Sequence, residues 1–284
     1  MAEKLFSVII ISWRVRDLVD RCLNSLSKVG TDVQVIVVDN NSADGTVELV
    51  RNKYPAVELL ALPSNVGFAA ANNLASRQAR GQYLVLLNPD TIVPEDFFKK
   101  VREFWLSHPQ AGAVGGQILN EDGSIQPSVR RLPKLGSQLV VLLKVSRWAK
   151  FFLKDYLALD FDYRKSQVVE QVMGACLICP QIVWRQLSGF DENFFVWFEE
   201  VDFCYRLSLA GYKIWYEPSI KIKHRHRASF SQLSYVERHR LFKRSLVYYA
   251  DKHWSLASRL LIRLAGGVGL IFAYVGQLFF PNKI

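Results

Sequence analysis

The first third of the chain alternates between short apolar runs and segments with helical periodicity, and this alternation allows few architectures. The apolar runs are FSVIIIS (6–12), VQVIVVD (33–39), VELLALP (57–63) and YLVLLN (83–88), and the helical segments between them are 17–26, 40–54 and 67–79. Strands that are apolar along their whole length are covered on both faces, as in parallel sheets flanked by helices. We therefore expect an α/β fold built on such a sheet.

The remainder of the chain mixes both element types with less regularity. The patterns predict a helix over 94–109, a strand, a turn and an extended segment over 114–133, a helical excursion over 137–165, a strand pair or edge strand over 169–180, helices over 182–190 and 198–212, and strands at 213–218 and 220–224. We assign residues 1–226 to one α/β domain and residues 227–284 to a C-terminal appendage.

Residues 221–284 carry the whole net charge of +10, because they hold twelve Lys or Arg against two acids. A basic helix is predicted over 234–254, and residues 264–280 contain no charge at all. Seventeen helical residues span about 25 Å, less than a hydrocarbon core of about 30 Å. We expect this segment to lie on a membrane or re-enter it, with the basic helix near anionic lipids. The uncharged neighbour disfavours nucleic acid as the partner of the basic helix.

The four cysteines indicate neither a metal centre nor disulfides. Cys176 and Cys179 form a C-x-x-C, but no second pair completes a zinc site, and their surroundings are apolar. With Cys22 and Cys204, they are expected to be small buried residues. No secretory leader pattern opens the chain. A reducing, cytoplasmic compartment therefore fits best.

Polar side chains follow the predicted strands at the points where these end. Asp39 follows the second strand, and the corner Asn88-Pro89-Asp90 follows the fourth. The carboxyl ends of parallel strands meet at one edge of the sheet, where such folds bind ligands. There, the Asp39 carboxylate is placed to accept hydrogen bonds from a base or a ribose. The loop SNVGFAAANN adds polar groups at a helix start, namely Asn65, Gly67, Asn72 and Asn73.

Two further groups of residues bear on chemistry. Asp90 and His224, facing a diphosphate, would form a hard-cation site for Mg²⁺ or Mn²⁺. The stretch FEEVD supplies Glu199, Glu200 and Asp202, any of which is a candidate general base. Acids in a first helical turn also suit the helix dipole, so this stretch alone does not establish a base.

These pieces together resemble a known family. The set VIVVDNNSADGT, SNVGFAAANN, LLNPDT, GSIQPSVRRLP and GFDENFFVWFEEVDFCYRLSLAGYKI is similar to family 2 glycosyltransferases of the GT-A fold. Within that family it is most similar to the rhamnosyltransferase-like branch, which acts on lipid-linked or cell-envelope glycans. The resemblance extends from about residue 6 to 226. It implies a Rossmann-like, nucleotide-binding mixed sheet flanked by helices.

The resemblance also implies roles for the donor site. Asp39 would bind the base and ribose of the nucleotide, with Asn65 and Asn73 nearby, and Gly67 and Asn88 would belong to the same site. Asp90 would be the metal-contacting acid, and His224 would complete the metal site. Asn88 stands where the family's D-x-D-like motif has its first acid, which leaves Asp90 as the one firm carboxylate ligand.

For the acceptor side, the resemblance places Glu200 at the position of the family's base, with Glu199 and Asp202 as rivals. Arg130 and Arg131 would face the diphosphate or the acceptor. The implied reaction is a single inverting displacement, in which an acceptor hydroxyl attacks the anomeric carbon of a nucleoside-diphosphate sugar. Lys144–Trp148 differs from the Gln-x-x-Arg-Trp of processive synthases, which favours transfer in one or a few steps.

Other classes fit the sequence less well. A catalytically inactive family member that acts as a membrane-bound assembly partner is the alternative, supported by Asn88 and the Glu199-Glu200 pair. A nucleotidyltransferase would show a glycine-rich loop after the first strand, and none follows Ser12. A dinucleotide oxidoreductase would show G-x-G-x-x-G there. We expect an enzyme at the cytoplasmic face of the cell membrane.

Overall fold

A mixed sheet of nine strands runs through the part of the chain that the structure, a computed structural model, describes: residues 5–30, 32–145, 149–225 and 232–279. The strands are β1 (Phe6–Ser12), β2 (Val33–Asp39), β3 (Glu58–Ala61), β4 (Tyr83–Leu87), β5 (Thr91–Ile92), β6 (Ala111–Leu119), β7 (Val129–Arg130), β8 (Gln167–Val169), β9 (Gln171–Val172), β10 (Cys176–Pro180) and β11 (Lys213–His224). Their order is β3-β2-β1-β4-β10-β6-β11-β5, with β8 on β11, and β7 pairs with β9 in a separate ribbon.

The half of the sheet formed by β1 to β4 is parallel, as predicted. β2 and β4 flank β1 in parallel register, and β3 adds to β2. All seven residues of β1 are buried, in agreement with a strand covered on both faces. In the β1–β2 ladder Ser12 pairs with Asp39, so these two residues end their strands side by side. The predicted meeting of strand ends at one rim is confirmed here.

The other half of the sheet departs from a parallel arrangement. β10 runs antiparallel between β4 and β6 and is an interior strand, so the predicted edge position was wrong. On β10, Cys176 contributes to the hydrophobic core on one face and Cys179 to the core on the other. Side chains an odd number of positions apart on a strand point to opposite faces, so this C-x-x-C cannot bind one ion. Both thiols are free and buried, as expected.

Helices cover both faces of this sheet. They are α1 (Arg16–Leu26), α2 (Thr46–Lys53), α3 (Phe68–Ser76), α4 (Phe97–Ser107), α5 (Leu135–Leu142), α6 (Lys150–Tyr156), α7 (Gln181–Gln186), α8 (Glu199–Leu209), α9 (Tyr235–His253) and α10 (Leu256–Phe279). α1 and α4 pack on one face, and α3, α7 and α8 pack on the other. The predicted excursion 137–165 contains α5 and α6, while Arg147 and Trp148 lie outside the described residues.

A third hydrophobic core joins the C-terminal helices to the rest of the protein. Side chains of α9 and α10 such as Leu246, Tyr249 and Ile262 pack with Phe194 and Phe198 of the loop before α8. The expected boundary at residues 226 and 227 falls on residues outside the described ranges. The helices beyond it share a core with the sheet domain, and the two-domain division stays a prediction.

Helix α10 is longer than predicted, with 24 residues and a length of about 36 Å. In the described part of the chain one helix, Leu256–Val275, is long and apolar enough to cross a membrane. Only 28% of its apolar window is buried, which excludes an interior core helix. Ile262, Ala265 and Ala273 face the protein. The opposite face exposes large apolar side chains, among them Leu264 (69%) and Ile271 (61%).

Candidate active site

The end of β2 presents a buried carboxylate with a free acceptor atom. Asp39 is 3% exposed, and its Oδ2 accepts a hydrogen bond from the Ser42 amide at 3.1 Å. Its Oδ1, and the hydroxyl of the neighbouring Ser12, have no hydrogen-bond partner among the described residues. A buried polar atom without a partner costs stability unless a ligand or water satisfies it. This rim can therefore accept and donate hydrogen bonds to a polar ligand.

The loop beside Asp39 is held by a residue that sequence reasoning missed. The Asn40 side chain accepts a hydrogen bond from the Val66 amide at 2.9 Å and donates one to the Gly67 carbonyl at 3.2 Å. Asn65 lies in the same loop, and its Oδ1 accepts from the Gly67 amide at 2.9 Å. Asn40 directly follows Asp39 in the DNN motif, and this adjacency was the available signal. The structure thus brings Asp39 and Asn65 to one corner of the rim.

Gly67 and Asn73 make contacts other than those the sequence suggested. Gly67 has a φ of +88°, and a Cβ there would lie 2.5 Å from the Phe195 carbonyl oxygen. Asn73 donates to the Phe190 carbonyl and to Glu192, and accepts from the Phe190 amide. Both residues secure the 190–195 loop against α3. The structure therefore gives the polar atoms of Asn73 a structural role and does not bring them to the nucleotide corner.

The corner after β4 pairs Asp90 with His224 at the end of β11. Asp90 Oδ1 lies 3.2 Å from His224 Nε2, and both side chains are nearly buried. His224 Nδ1 lies 2.7 Å from the Oε1 of Gln126, whose amide nitrogen donates to Asn120 at 3.1 Å. Because Gln126 presents its oxygen, the His224 proton belongs on Nδ1 and Nε2 faces Asp90. Gln126 lies in the quoted motif GSIQPSVRRLP, but sequence reasoning selected the arginines instead.

Two clefts differ in their relation to these residues. One of about 290 Å³ is lined by Asp90 and His224 together with Arg21 and Glu121. The other, of about 580 Å³, lies at the opposite end of the sheet, where β4 begins at Tyr83. None of the predicted site residues lines the larger cleft.

The start of α8 presents two adjacent glutamates on a strained turn. Trp197 and Phe198 both have left-handed backbone conformations, with φ of +64° and +71°, and α8 begins at the next residue. Such conformations cost energy in residues other than glycine and are held in place by surrounding packing, here by the third core. Glu199 is 4% exposed, whereas Glu200 is only partly buried.

Both glutamates are poor acids in this environment. Burial raises the pKa of Glu200, while backbone hydrogen bonds, including one from Gly174, oppose the rise. Burial raises the pKa of Glu199 still further, with the charge of Glu200 adding to it. The Oε2 atoms of both have no hydrogen-bond partner within the described ranges. Tyr156 lies close enough for the Glu200 charge to act on the pKa of its phenol.

Asp202, the third candidate base, belongs to a buried ion network and is removed from the candidates. It is 0% exposed, and its oxygens contact Arg206 at 2.7 Å, Lys252 at 2.9 Å and His253 at 2.7 Å. Burial opposes ionisation, but the hydrogen bonds and charges of these three partners hold its pKa below the usual range. A carboxylate so engaged ties α8 to α9 and is a poor proton acceptor.

The two arginines after the β6 hairpin have different surroundings. Arg131 pairs with Asp155 at 3.1 Å and Asp160 at 3.0 Å, which fastens α6 to the extended segment. Its predicted contact with a diphosphate or acceptor stays a prediction. Arg130 donates a hydrogen bond to the Val129 carbonyl. Its charge lowers the pKa of the Tyr156 phenol, which the charge of Glu200 raises. Arg130 thus lies close to Tyr156, as Glu200 does.

The sequence matches a family whose fold agrees with this geometry. The profile of the family "Glycosyl transferase family 2" matches residues 7–165, more than half of the chain. The chain belongs to glycosyl transferase family 2.

Curated relatives of this family 2 glycosyltransferase span nearly its whole length. One, the N-acetylglucosaminyl-diphospho-decaprenol L-rhamnosyltransferase of Mycobacterium tuberculosis H37Rv, is 28% identical over 285 residues, covering 90% of each chain. Another, the rhamnosyltransferase WbbL of Escherichia coli K12, is 26% identical and covers 76% of this chain and 82% of its own.

Solved structures show that the glycosyltransferase has the GT-A fold. The Pyrobaculum calidifontis mannosyltransferase PcManGT, in complex with GDP-Man and Mn²⁺, superposes with a TM-score of 0.58 at 18% identity, covering 98% of this chain and 75% of that one. Staphylococcus aureus TarS 1–349 with UDP gives 0.54 at 16% identity, covering 99% of this chain and 75% of that one.

Proposed function

We propose that this glycosyltransferase transfers a deoxyhexose, with rhamnose favoured, from a nucleoside-diphosphate sugar to a lipid-linked or cell-envelope glycan acceptor with inversion. Support for the sugar and the acceptor class comes from the two rhamnosyltransferase relatives, one of which is named for a diphospho-decaprenol substrate. The observation that carries the proposal is the rim itself. It holds the partnerless Asp39 oxygen at one strand end and the Asp90–His224 pair at another.

The spacing of these two features suits a nucleoside diphosphate. β2 and β4 are separated by β1 alone, so their ends lie about 10 Å apart along the rim. Asp39 would accept hydrogen bonds from the ribose or base, with Asn65 shaping the adjoining loop. The diphosphate would then lie toward Asn88 and Asp90.

The residues at the second strand end fit a divalent cation. A carboxylate and an imidazole whose Nε2 faces it form an O and N donor pair that suits Mg²⁺ or Mn²⁺, Mn²⁺ accepting the imidazole more readily. No group of three or more His, Cys, Asp or Glu side chains that could hold a metal occurs among the described residues. Asp90 and His224 would therefore hold the ion together with the nucleotide's phosphates. When bound, the ion would neutralise charge on the departing nucleoside diphosphate.

Glu200 is the base in this proposal. Its side chain is only partly buried and lies near Tyr156, whereas Glu199 is buried and less able to ionise. Glu200 would take the proton of the acceptor hydroxyl as that oxygen attacks the anomeric carbon from the face opposite the leaving diphosphate. The bond to the diphosphate breaks in the same step, so no covalent intermediate on the protein is needed.

The exposed apolar face of α10 supports a membrane location. It would dock on the cytoplasmic face of the cell membrane, peripherally or as a re-entrant or anchoring element, and anionic lipids would attract the basic α9. This location brings the site to an acceptor carried on a lipid.

Thermal unfolding with candidate donors tests the proposal. Full-length protein is heated with dTDP, UDP or GDP, each with and without Mn²⁺ or Mg²⁺. We expect stabilisation that grows with the concentration of one nucleotide and needs the metal, because the ligand binds the folded state alone. An Asp39→Asn variant should lose that stabilisation. If no nucleotide stabilises the protein and no donor sugar is turned over, the alternative of a catalytically inactive assembly partner is favoured.

A second prediction concerns Gln126, which orients His224. Gln126→Leu removes the acceptor for Nδ1–H, so the ring is no longer held with Nε2 toward Asp90. Loss of such an orienting partner weakens metal binding by about 10–100-fold. The measurement is the Mn²⁺ concentration that gives half-maximal stabilisation by the preferred nucleotide. Asn120→Ala, one contact further out, should have a smaller effect, and equal effects would contradict the orienting role.

A further inference from the structure

A group of basic side chains lies where the C-terminal end of α5 meets α9 and α10, and its nitrogens have no acceptors. Lys144 Nζ, Arg238 Nε and His239 Nε2 are buried and have no hydrogen-bond partner among the residues that the structure describes. Each unsatisfied buried donor costs about 1–3 kcal/mol. Three such nitrogens in one place indicate a missing acceptor, since native folds contain few.

Their mutual contacts show that the three side chains form one cluster. Lys144 Nζ lies 3.8 Å above the ring centroid of Tyr235, and the Arg238 charge acts on the phenol of the same tyrosine. Burial, followed by the positive charges of Lys144 and Lys243, lowers the pKa of His239 to about 4. Burial lowers the pKa of Lys144 to about 8. The charges that act on the cluster are therefore positive.

The acids of α9 do not neutralise this cluster. Glu237 closes the capping box with Ser234 at the start of the helix. Asp251 forms an ion pair with Arg263 of α10. Neither acid of α9 therefore supplies an acceptor to the cluster.

The backbone at Lys144 also argues against a purely structural role. Lys144 follows the end of α5 with a φ of +59°, and its amide and that of Val145 bond back to Val141 and Val140. This helix-ending motif favours glycine, because a side chain is strained in the left-handed region. The chain instead places a lysine there and buries its amine over the Tyr235 ring, with no hydrogen-bond partner among the described residues. Local stability alone would favour glycine at this position.

We propose that Lys144, Arg238 and His239 bind the phosphate of a lipid headgroup. A phosphate presents several acceptor oxygens, and charge-assisted hydrogen bonds from Lys and Arg are the strong ones. The cluster lies beside α10, where Gly269 allows close approach, since a Cβ there would lie 3.1 Å from His239 Nε2. The other face of α10 is apolar and exposed, as a headgroup site at a membrane requires.

The position along α5 connects this site with the acceptor. Gln138 on α5 lies near Tyr156, and the charge of Glu200 raises the pKa of the Tyr156 phenol. Lys144 follows Gln138 by six residues, about 9 Å along the helix. In this proposal the sugar hydroxyl of the acceptor lies at Glu200 and its diphosphate lies at the cluster. The inference rests on the proposed lipid-linked acceptor, although phosphate binding is measurable without sugar transfer.

Sedimentation with vesicles tests the site in the full chain. The vesicles consist of phosphatidylcholine alone, with added phosphatidylglycerol, or with an added polyprenyl diphosphate. We expect wild type to prefer one or both of the phosphate-bearing additions, and the preferred vesicle identifies the source of the phosphate. Lys144→Gly should weaken that binding at least about tenfold, because a charge-assisted hydrogen bond is lost. The same variant should unfold at an equal or higher temperature, because glycine suits the backbone there.

Arg238→Gln provides a second variant, and Lys28→Gln, at an exposed position after α1, provides the charge-matched control. Arg238→Gln should also weaken binding about tenfold, and Lys28→Gln should leave it within about twofold. The site is refuted if Lys144→Gly and Arg238→Gln bind like wild type, if Lys28→Gln loses as much, or if wild type does not distinguish the vesicles. Nucleotide stabilisation, measured in parallel, reports separately on the proposed glycosyl transfer, since Lys144 is not among the residues proposed to hold the nucleotide.

Discussion

Glu200→Gln is expected to lower the rate of sugar transfer by about 10²–10⁴-fold, the usual contribution of a positioned general base. Glutamine keeps the shape of the side chain but cannot accept a proton from the acceptor hydroxyl. Donor binding should persist, because Asp39 and the Asp90–His224 pair are unchanged. The measurement is kcat and KM for donor and acceptor, in parallel with nucleotide-dependent stabilisation. A drop in kcat with an unchanged donor KM is the expected pattern.

Two matched variants separate the base from its neighbour. Glu199→Gln should change the rate by less than about tenfold, or about 1.4 kcal/mol in barrier, because burial already keeps Glu199 largely protonated. Glu200→Asp keeps a carboxylate on a shorter arm and should retain more activity than Glu200→Gln. If Glu199→Gln is the inactive variant and Glu200→Gln is active, Glu199 is the base.

The pH dependence follows from the raised pKa of Glu200. The base must be ionised, so kcat/KM should fall as pH drops through a pKa above the ordinary glutamate value of 4.5. The contribution of Glu200 to folding stability depends on pH in the opposite direction. A carboxyl whose pKa is raised by folding favours the folded state at low pH, and this contribution is lost as pH rises through the raised pKa. Glu200→Gln should therefore be at least as stable as wild type at neutral pH, so that inactivity cannot be ascribed to unfolding.

The parallel half of the fold was predictable because each strand carries its own signal. β1, β2 and β4 are apolar along their length, and their ends could be placed at one rim from the sequence alone. The edge position considered for β10 was wrong, because an apolar run does not show which strands it pairs with. Its insertion between β4 and β6 depends on contacts distant in sequence, which no local pattern encodes.

The sequence predicted the position of those candidate site residues that lie at the end of a strand. Asp39, Asp90 and His224 lie at such ends. The ion pairs of Asp202 and Arg131 were not predictable, because their partners His253 and Asp160 lie 51 and 29 residues away in sequence. Local sequence shows a charge but not the opposite charge that neutralises it, so a free acid and a paired acid look alike.

Asp202→Ala is expected to destabilise the protein by about 3–5 kcal/mol, since it removes the buried carboxylate to which Arg206, Lys252 and His253 are bound. Asp202 is fully buried, and Arg206, Lys252 and His253 all point at it. Because its pKa is lowered on folding, its contribution is present above the unfolded value of about 3.8 and is lost as pH falls through the folded pKa. Urea unfolding at neutral pH measures the difference.

Asp160→Asn is the matched control, because it also removes an Asp–Arg pair, but one whose carboxylate is 57% exposed. Exposed pairs contribute about 0–1 kcal/mol, so this variant should unfold close to wild type. Asp202→Ala should also lower the rate of sugar transfer by the protein that remains folded. The reason is that Asp202 ties the first turn of α8, which carries Glu200, to α9. Equal unfolding of the two variants would show that the buried network does not fix α8. The C-terminal helices would then be dispensable for positioning the base.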